Sequence, residues 1–428
     1  MMEARSVPGF ERLFDEPGAY ERSSRLCVLC KGSKMLCGKE RCPLMIKYHS
    51  EAKSVRFFEG RELVGYSPPS VFVGRYGYPK VDIGPLLPPD IGDTSLMDTP
   101  ERWVGRSIDE IVDFRSRLVR GKYRIDARDF ASGGKFVDMV QELALLRDST
   151  EVEAAFTHRP RGRLVLDDEV QPFGPSAPLE RMRVDNGYFH REMEKVYNDT
   201  DMRAVDAVTY LYKEGALISD IQKAFSVGVL GVGKKRKFVP TRWSITAVDD
   251  TIGKHLLETT KYNPLIADFR VYCWEELDNR WCVLFMPCSW RYELIEAWYP
   301  NTTWNPYGRE ISIISDHEFY GGRKEYARIG GCYYAARMAV NELLINEGRQ
   351  AGVVIFREAH PGYVMPVGVW NVRENVRAAL ATLPKHYETL DQALQHVDRV
   401  MDIPRERWIH NSSILKDMLT QRRLDDFF

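Results

Sequence analysis

Four cysteines crowded near one end constrain this chain more than any other feature. Cys27, Cys30, Cys37 and Cys42 follow the spacing C-x2-C-x6-C-x4-C. Four thiolates on one ion would dictate the path of the backbone around it. The C-x2-C pair turns tightly enough to place two sulfurs on one metal. Gly32 and Gly38 relieve the backbone as it wraps towards the second pair. Lys31, Lys34, Lys39 and Arg41 would offset the negative charge of such a site. The pattern predicts a closed, tetrahedral, structural zinc knuckle with no open coordination position. An iron–sulfur cluster, kept in view by the Cys42-Pro43 step, is the second reading; disulfides or free thiols are the third. Cys273, Cys282 and Cys288 are expected to be core thiols, not ligands.

The chain has 428 residues, enough for two or three domains with ample core. Its net charge is −1, so no global field draws it to nucleic acid, and any such binding needs a local patch. No apolar run approaches the roughly 20 residues needed to span a bilayer. Glu3, Arg5 and Pro8 interrupt any hydrophobic core of a signal peptide. A cytoplasmic, nucleoid-associated protein is therefore expected. The fold class read from the pattern is α+β, with several domains of mixed helices and sheets behind the small knuckle. A lead-in at 1–20 and the knuckle at 21–50 precede a mixed α/β region at 51–265. An α+β region at 266–410 and a C-terminal helix with its tail at 411–428 complete the chain.

Apolar spacing predicts helices at 107–118, 137–156, 189–197, 203–213 and 216–225. The second half reads as a hairpin from Val271 to Met286 with a polar turn, then a strand from Tyr292 to Trp298. A helix over 324–347, a strand from Ala351 to Arg357, and helices beginning near Val372 and at 388–401 and 412–420 follow.

Two segments carry the residue types that hold anionic polymers. The loop after Val71-Phe-Val73 displays Arg75, Tyr76, Tyr78 and Lys80, which can present cations and aromatic faces to phosphates and bases. It can equally be a packed turn. The stretch from Gly228 holds Lys234, Lys235, Arg236 and Lys237 beside Phe238, Arg242 and Trp243. It contains G-x4-G-K, but Lys235 stands where a phosphate-binding loop needs Ser or Thr, and a helical pattern precedes it. A P-loop ATPase is therefore rejected. Phosphate contact with nearby stacking is one reading of these cations and a solvated basic loop is the other. A helix-turn-helix over 203–225 is a weaker possibility. Glu358 and His360, at a strand end, suit acid–base chemistry in type. They lack a full nucleophile–base–orienter set or metal spacing, as do Asp316, His317 and Glu318, so structural roles are preferred.

The last eight residues read Q-R-R-L-D-D-F-F. On one turn of helix Leu424, Phe427 and Phe428 share a face, with Gln421 one turn earlier. This looks like a PCNA-interacting peptide (PIP motif), the segment that docks on the replication sliding clamp. Burying one Leu and two Phe contributes about 1.5–3 kcal/mol each. Ordering each residue costs on the order of 1 kcal/mol. A lone tail should therefore bind weakly and gain from a second contact.

With the knuckle, the Gly/Tyr loop and the tail together, the chain resembles the archaeal Nre family of DNA repair proteins, in its NreA type. The resemblance covers the full length, as an N-terminal Nre region, a C-terminal Nre region and the clamp motif. It implies a zinc finger at Cys27, Cys30, Cys37 and Cys42. It also implies a clamp contact through Gln421, Leu424, Phe427 and Phe428, and a part in the DNA-damage response. It supplies no enzymatic activity. A repair factor recruited to DNA through the clamp is the favoured reading. The alternative is a clamp-tethered enzyme acting on nucleic acid or a nucleotide, near Arg75–Lys80 or Glu358/His360.

Overall fold

The protein is described from a computed structural model, at residues 30, 34, 36, 41, 42, 45, 46, 60–129, 133–161, 173–302, 304, 305 and 308–420. Cys27, Cys37 and the tail residues Gln421, Leu424, Phe427 and Phe428 lie outside these. The described chain mixes α and β structure, with two six-stranded sheets and eleven α-helices.

The first half builds β1 (Glu62–Ser67), β2 (Val71–Val73), β3 (Lys80–Leu87), α1 (Ile108–Arg117) and β4 (Val119–Asp126). It continues with α2 (Gly134–Leu145), β5 (Thr150–Phe156) and β6 (Ser176–Val184). These strands lie in the order β1-β5-β6-β4-β3-β2, antiparallel except between β4 and β6. α1 starts at a capping box, in which Ser107 Oγ accepts the Glu110 N–H and Glu110 Oε2 accepts the Ser107 N–H at 3.0 Å. Arg41 meets Asp109 of α1 at 2.6 Å, and Ile46 packs near Trp103 and Ile108, so these two residues flanking Cys42 lie against this helix and its approach.

The single helix expected over 137–156 is two elements. α2 stops at Leu145, and Thr150–Phe156 is β5, buried at alternate positions. Both neighbours of β5 supply ladder bonds, and period-2 burial of Thr150, Val152, Ala154 and Phe156 wins over the helical spacing.

Four helices follow: α3 (Arg191–Asn198), α4 (Ala204–Lys213), α5 (Ile218–Ser226) and α6 (Thr241–Thr260). Their apolar faces join α2 and the first sheet in one core around Val140, Leu211, Ile221 and Ile252. α4 and α5 do form a short-turned pair. Ile218, Ser219, Ile221, Gln222, Lys223, Ala224 and Ser226 of the second helix are buried, so it has no free face for a DNA groove and the helix-turn-helix reading is dropped. The twenty-residue α6 was not foreseen. Its buried side includes Ser244, Asp249, Gly253 and Thr260 between the apolar positions, which blurs the sequence signal.

The second half holds β7 (Phe269–Glu276), β8 (Asn279–Met286), β9 (Arg291–Trp298), β10 (Ser312–Glu318), α7 (Gly331–Glu347) and β11 (Gly352–Ala359). α8 (Trp370–Leu380), β12 (Lys385–Tyr387), α9 (Leu390–Val400), α10 (Arg405–Asn411) and α11 (Ser413–Thr420) complete it. The order is β10-β9-β11-β8-β7-β12, with only β9 and β11 parallel. The expected hairpin is present, with a two-residue turn: Leu277 and Asp278 both have positive φ, 51° and 54°. One face of the sheet packs Trp281, Val283, Leu294 and Ile355 under α7 and α8. The other packs Cys282, Leu284 and Phe356 under the last three helices, which contribute Trp408 to this core. Burial on both faces fits the continuous apolar run Gly352–Phe356 of β11, with Arg357 and Glu358 buried beyond it. Cys273, Cys282 and Cys288 belong to this second core, as expected of structural thiols.

An ionic seam joins the halves. Asp249 of α6 is fully buried and accepts two hydrogen bonds from Arg373 Nη1 of α8, at 3.0 and 3.1 Å, and one from Gln222 Nε2 at 3.0 Å. Burial pushes its carboxyl up to about 6, against the pull of Arg373 and Arg377. Nearby, Arg337 bridges Glu318 at 2.9 Å and also Asp250, while Arg377 clasps Glu342 at 2.6 and 2.8 Å. Asp316 is held by Arg323 and the Arg328 N–H. The Asp316 and Glu318 carboxylates are thus structural, as the sequence reading preferred.

Candidate nucleic-acid interface

Two basic segments about 160 residues apart in sequence meet in the fold. The β2–β3 loop turns at Gly77, whose φ is +79° and where an added Cβ would lie 2.5 Å from the Arg124 side chain. This delivers the Tyr78 ring to Trp243, in the first turn of α6, with centroids 5.2 Å apart. Val73 N–H donates to Thr241 Oγ1 at 2.9 Å, fixing the helix start against β2. Ala127 is the hub of the join: its N–H donates to the Pro79 carbonyl at 2.7 Å and its carbonyl accepts the Phe238 N–H at 2.9 Å. Phe238 is fully buried, and through Ala127 the chain just before Lys80 and just after Lys237 is tied to one residue.

The surface so made is aromatic and cationic. Tyr76, Tyr78 and Trp243 are 68%, 39% and 46% exposed, open enough for a base to stack on. The Arg75 guanidinium lies 5.0 Å from the Tyr76 ring centroid. Lys80, Lys234, Lys235, Lys237 and Arg242, on the same two segments, are exposed. Arg124 and Arg128 stand on the same edge, but their charges are matched by Asp82 at 3.1 Å and Asp126 at 3.0 Å. The hydrogen bonds from Arg128 hold the Asp126 carboxyl down at about 2. Gly233–Lys235 is one 3-10 turn after a helix, not a loop after a strand, in keeping with the rejection of a P-loop.

Arg236 differs from its neighbours. Its guanidinium donates to the carbonyls of Gly231 at 2.8 Å, Tyr197 at 2.7 Å and Asp199 at 2.8 Å. It therefore closes the C-terminal end of α3, where helix carbonyls lack partners. Burial lowers its pKa. Of the four consecutive cations, three face outward and one locks the loop in place. Sequence composition could not separate them.

At the end of β11 the structure brings Glu358 and His360 together with Asp402 from the α9–α10 loop. The sequence reading missed Asp402, which carries no local motif. Cys30 is buried and Cys42 half-buried; the four-cysteine geometry lies outside the described residues. No helix among the described residues is long and apolar enough to cross a membrane.

Family models described as the N-terminal and C-terminal regions of archaeal Nre match residues 36–305 and 318–427. The chain is 44% identical over 391 residues to DNA repair protein NreB of Archaeoglobus fulgidus, covering 91% of this chain and 97% of that one. It is 37% identical to DNA repair protein NreA of the same organism, over 87% of this chain and 93% of that protein. Against DNA repair protein NreA of Haloferax volcanii it is 34% identical, over 83% of this chain and 87% of that one. No solved structure matches it. With both family regions matched across nearly all of its described length, this chain belongs to the archaeal Nre family.

Proposed function

We propose that this protein is a DNA repair factor recruited to DNA through the sliding clamp, which holds the strand on the surface formed by Arg75–Lys80 and Lys234–Trp243. The joining of Tyr78 to Trp243 carries the DNA-binding part, because it assembles stacking faces and cations that neither segment offers alone. The names of its relatives as DNA repair proteins support the repair setting. The terminal Q-x-x-L-x-x-F-F pattern supports the clamp, and the cysteine spacing supports a structural zinc knuckle beside α1.

Changing Lys234, Lys235 and Lys237 together to Gln tests the surface. DNA affinity should fall, and the slope of log K against log salt should flatten by about 0.9 for each B-DNA phosphate no longer neutralised. An unchanged slope would return these lysines to a solvated loop. Changing Tyr78 and Trp243 to Ala should weaken binding of single-stranded DNA by about 1–3 kcal/mol for each base that no longer stacks. Elemental analysis of the purified protein should find about one zinc per chain. Iron with visible absorbance would replace the zinc reading by a cluster.

A further inference from the structure

Glu358 closes β11 with its side chain wholly buried. Its Oε1 accepts the Ile403 N–H at 2.8 Å, and its Oε2 accepts the Asp402 N–H at 3.1 Å. His360 Nε2 lies 3.2 Å from that same Oε2. The imidazole is stacked on Tyr299, ring centroids 4.2 Å apart and planes 25° from parallel. The Asp402 carboxylate completes the group, and one donor atom from each of the three residues lies within 4.8 Å of the others.

Loop anchoring alone does not account for this set. Glu293, another buried glutamate of the same sheet, anchors the start of α11 through the Ser412 hydroxyl and the N–H groups of Ser413 and Ile414. Among the described residues no imidazole is hydrogen-bonded to it, although His317 of β10 pairs opposite it and acts on its charge. Glu358 has an imidazole beside an oxygen already fixed by the backbone, and a second carboxylate within reach. An ionised carboxylate offers about four lone-pair sites, so two N–H bonds leave Glu358 able to ligate. Asp402 is oriented by Arg280 through Oδ1, leaving Oδ2 for an ion. The preset ring, the preset carboxylate and the partnered aspartate resemble the way outer contacts fix metal ligands before the metal arrives.

We propose that Glu358, His360 and Asp402 bind one divalent first-row cation of the zinc or manganese kind. Two oxygens and an imidazole suit such ions better than magnesium or calcium, which favour all-oxygen shells. Three protein ligands leave positions for water or for phosphate oxygens. This proposal uses none of the four cysteines and does not rest on clamp or DNA binding.

The test titrates Mn2+ into the purified full-length protein, with the knuckle metal in place, and follows free Mn2+ by electron paramagnetic resonance. The wild type should take up one Mn2+ per chain, displaceable by Zn2+. His360→Ala and Asp402→Asn should each weaken uptake at least tenfold. Asp402→Asn is the deciding variant, because its side chain is 54% exposed and its loss costs only a surface pair with Arg280. Its thermal midpoint without added metal should stay at the wild-type value, while the rise on adding Mn2+ disappears. No uptake by the wild type at millimolar Mn2+, or equal uptake by Asp402→Asn, overturns the site.

Discussion

Replacing Asp249 by Ala should destabilise the protein by about 3–5 kcal/mol, the cost of breaking a buried pair and leaving the Arg373 and Gln222 donors without their acceptor. Arg373 is buried and aims Nη1 at both Asp249 oxygens. Glu374, 3.0 Å from Arg373 Nε, recovers part of the loss. Asp249→Asn keeps the shape and one acceptor and should cost less. The pH dependence follows from the raised carboxyl. Its unfolded value is 3.8 and its folded value about 6, so the native state binds this proton more readily. The stability it contributes is full below 3.8 and is lost as pH rises through about 6. The wild type should therefore gain on Asp249→Asn by on the order of 1 kcal/mol between pH 7 and pH 5. Chemical denaturation of both proteins at the two pH values measures this; a shift of the opposite sign on acidification would reverse the assignment.

Deleting residues 421–428 should abolish binding to the sliding clamp while leaving the thermal midpoint nearly unchanged. The binding term comes from one Leu and two Phe, about 1.5–3 kcal/mol each, set against the cost of ordering the segment. Removing all three leaves nothing to hold the clamp pocket. α11 is itself anchored by Glu293 and by Arg291 to Asp417 at 2.6 Å, upstream of the deletion. A drop in stability matching the loss of binding would make the tail part of the core. Retained clamp binding would place the contact elsewhere on the body.

Much of the element content was legible. α1, α3, α4 and α5 fall close to their apolar spacing, and the β7–β8 hairpin and β11 follow their β-branched and aromatic runs. Ends were less legible where a tertiary partner decides them. α7 begins at Gly331 and not near 324, because Arg323 turns back to Asp316 and Gly330 takes a φ of 78°. β12 is three residues long and exists only through its pairing with β7. Arg236 and Lys237 are neighbours of like charge with opposite roles, which only the carbonyls around Arg236 reveal.

The sequence by itself determined the family, the cysteine and terminal patterns, and which segments hold cations beside aromatics, since these are local properties of residue type and spacing. The tertiary structure alone decided that Tyr78 meets Trp243, that Asp249 meets Arg373, and that Asp402 joins Glu358 and His360. Tyr78 and Trp243 stand 165 residues apart in the chain, and Glu358 and Asp402 stand 44 apart. Such contacts are selected by burial and backbone hydrogen bonding across the whole fold, and a local pattern carries no record of them.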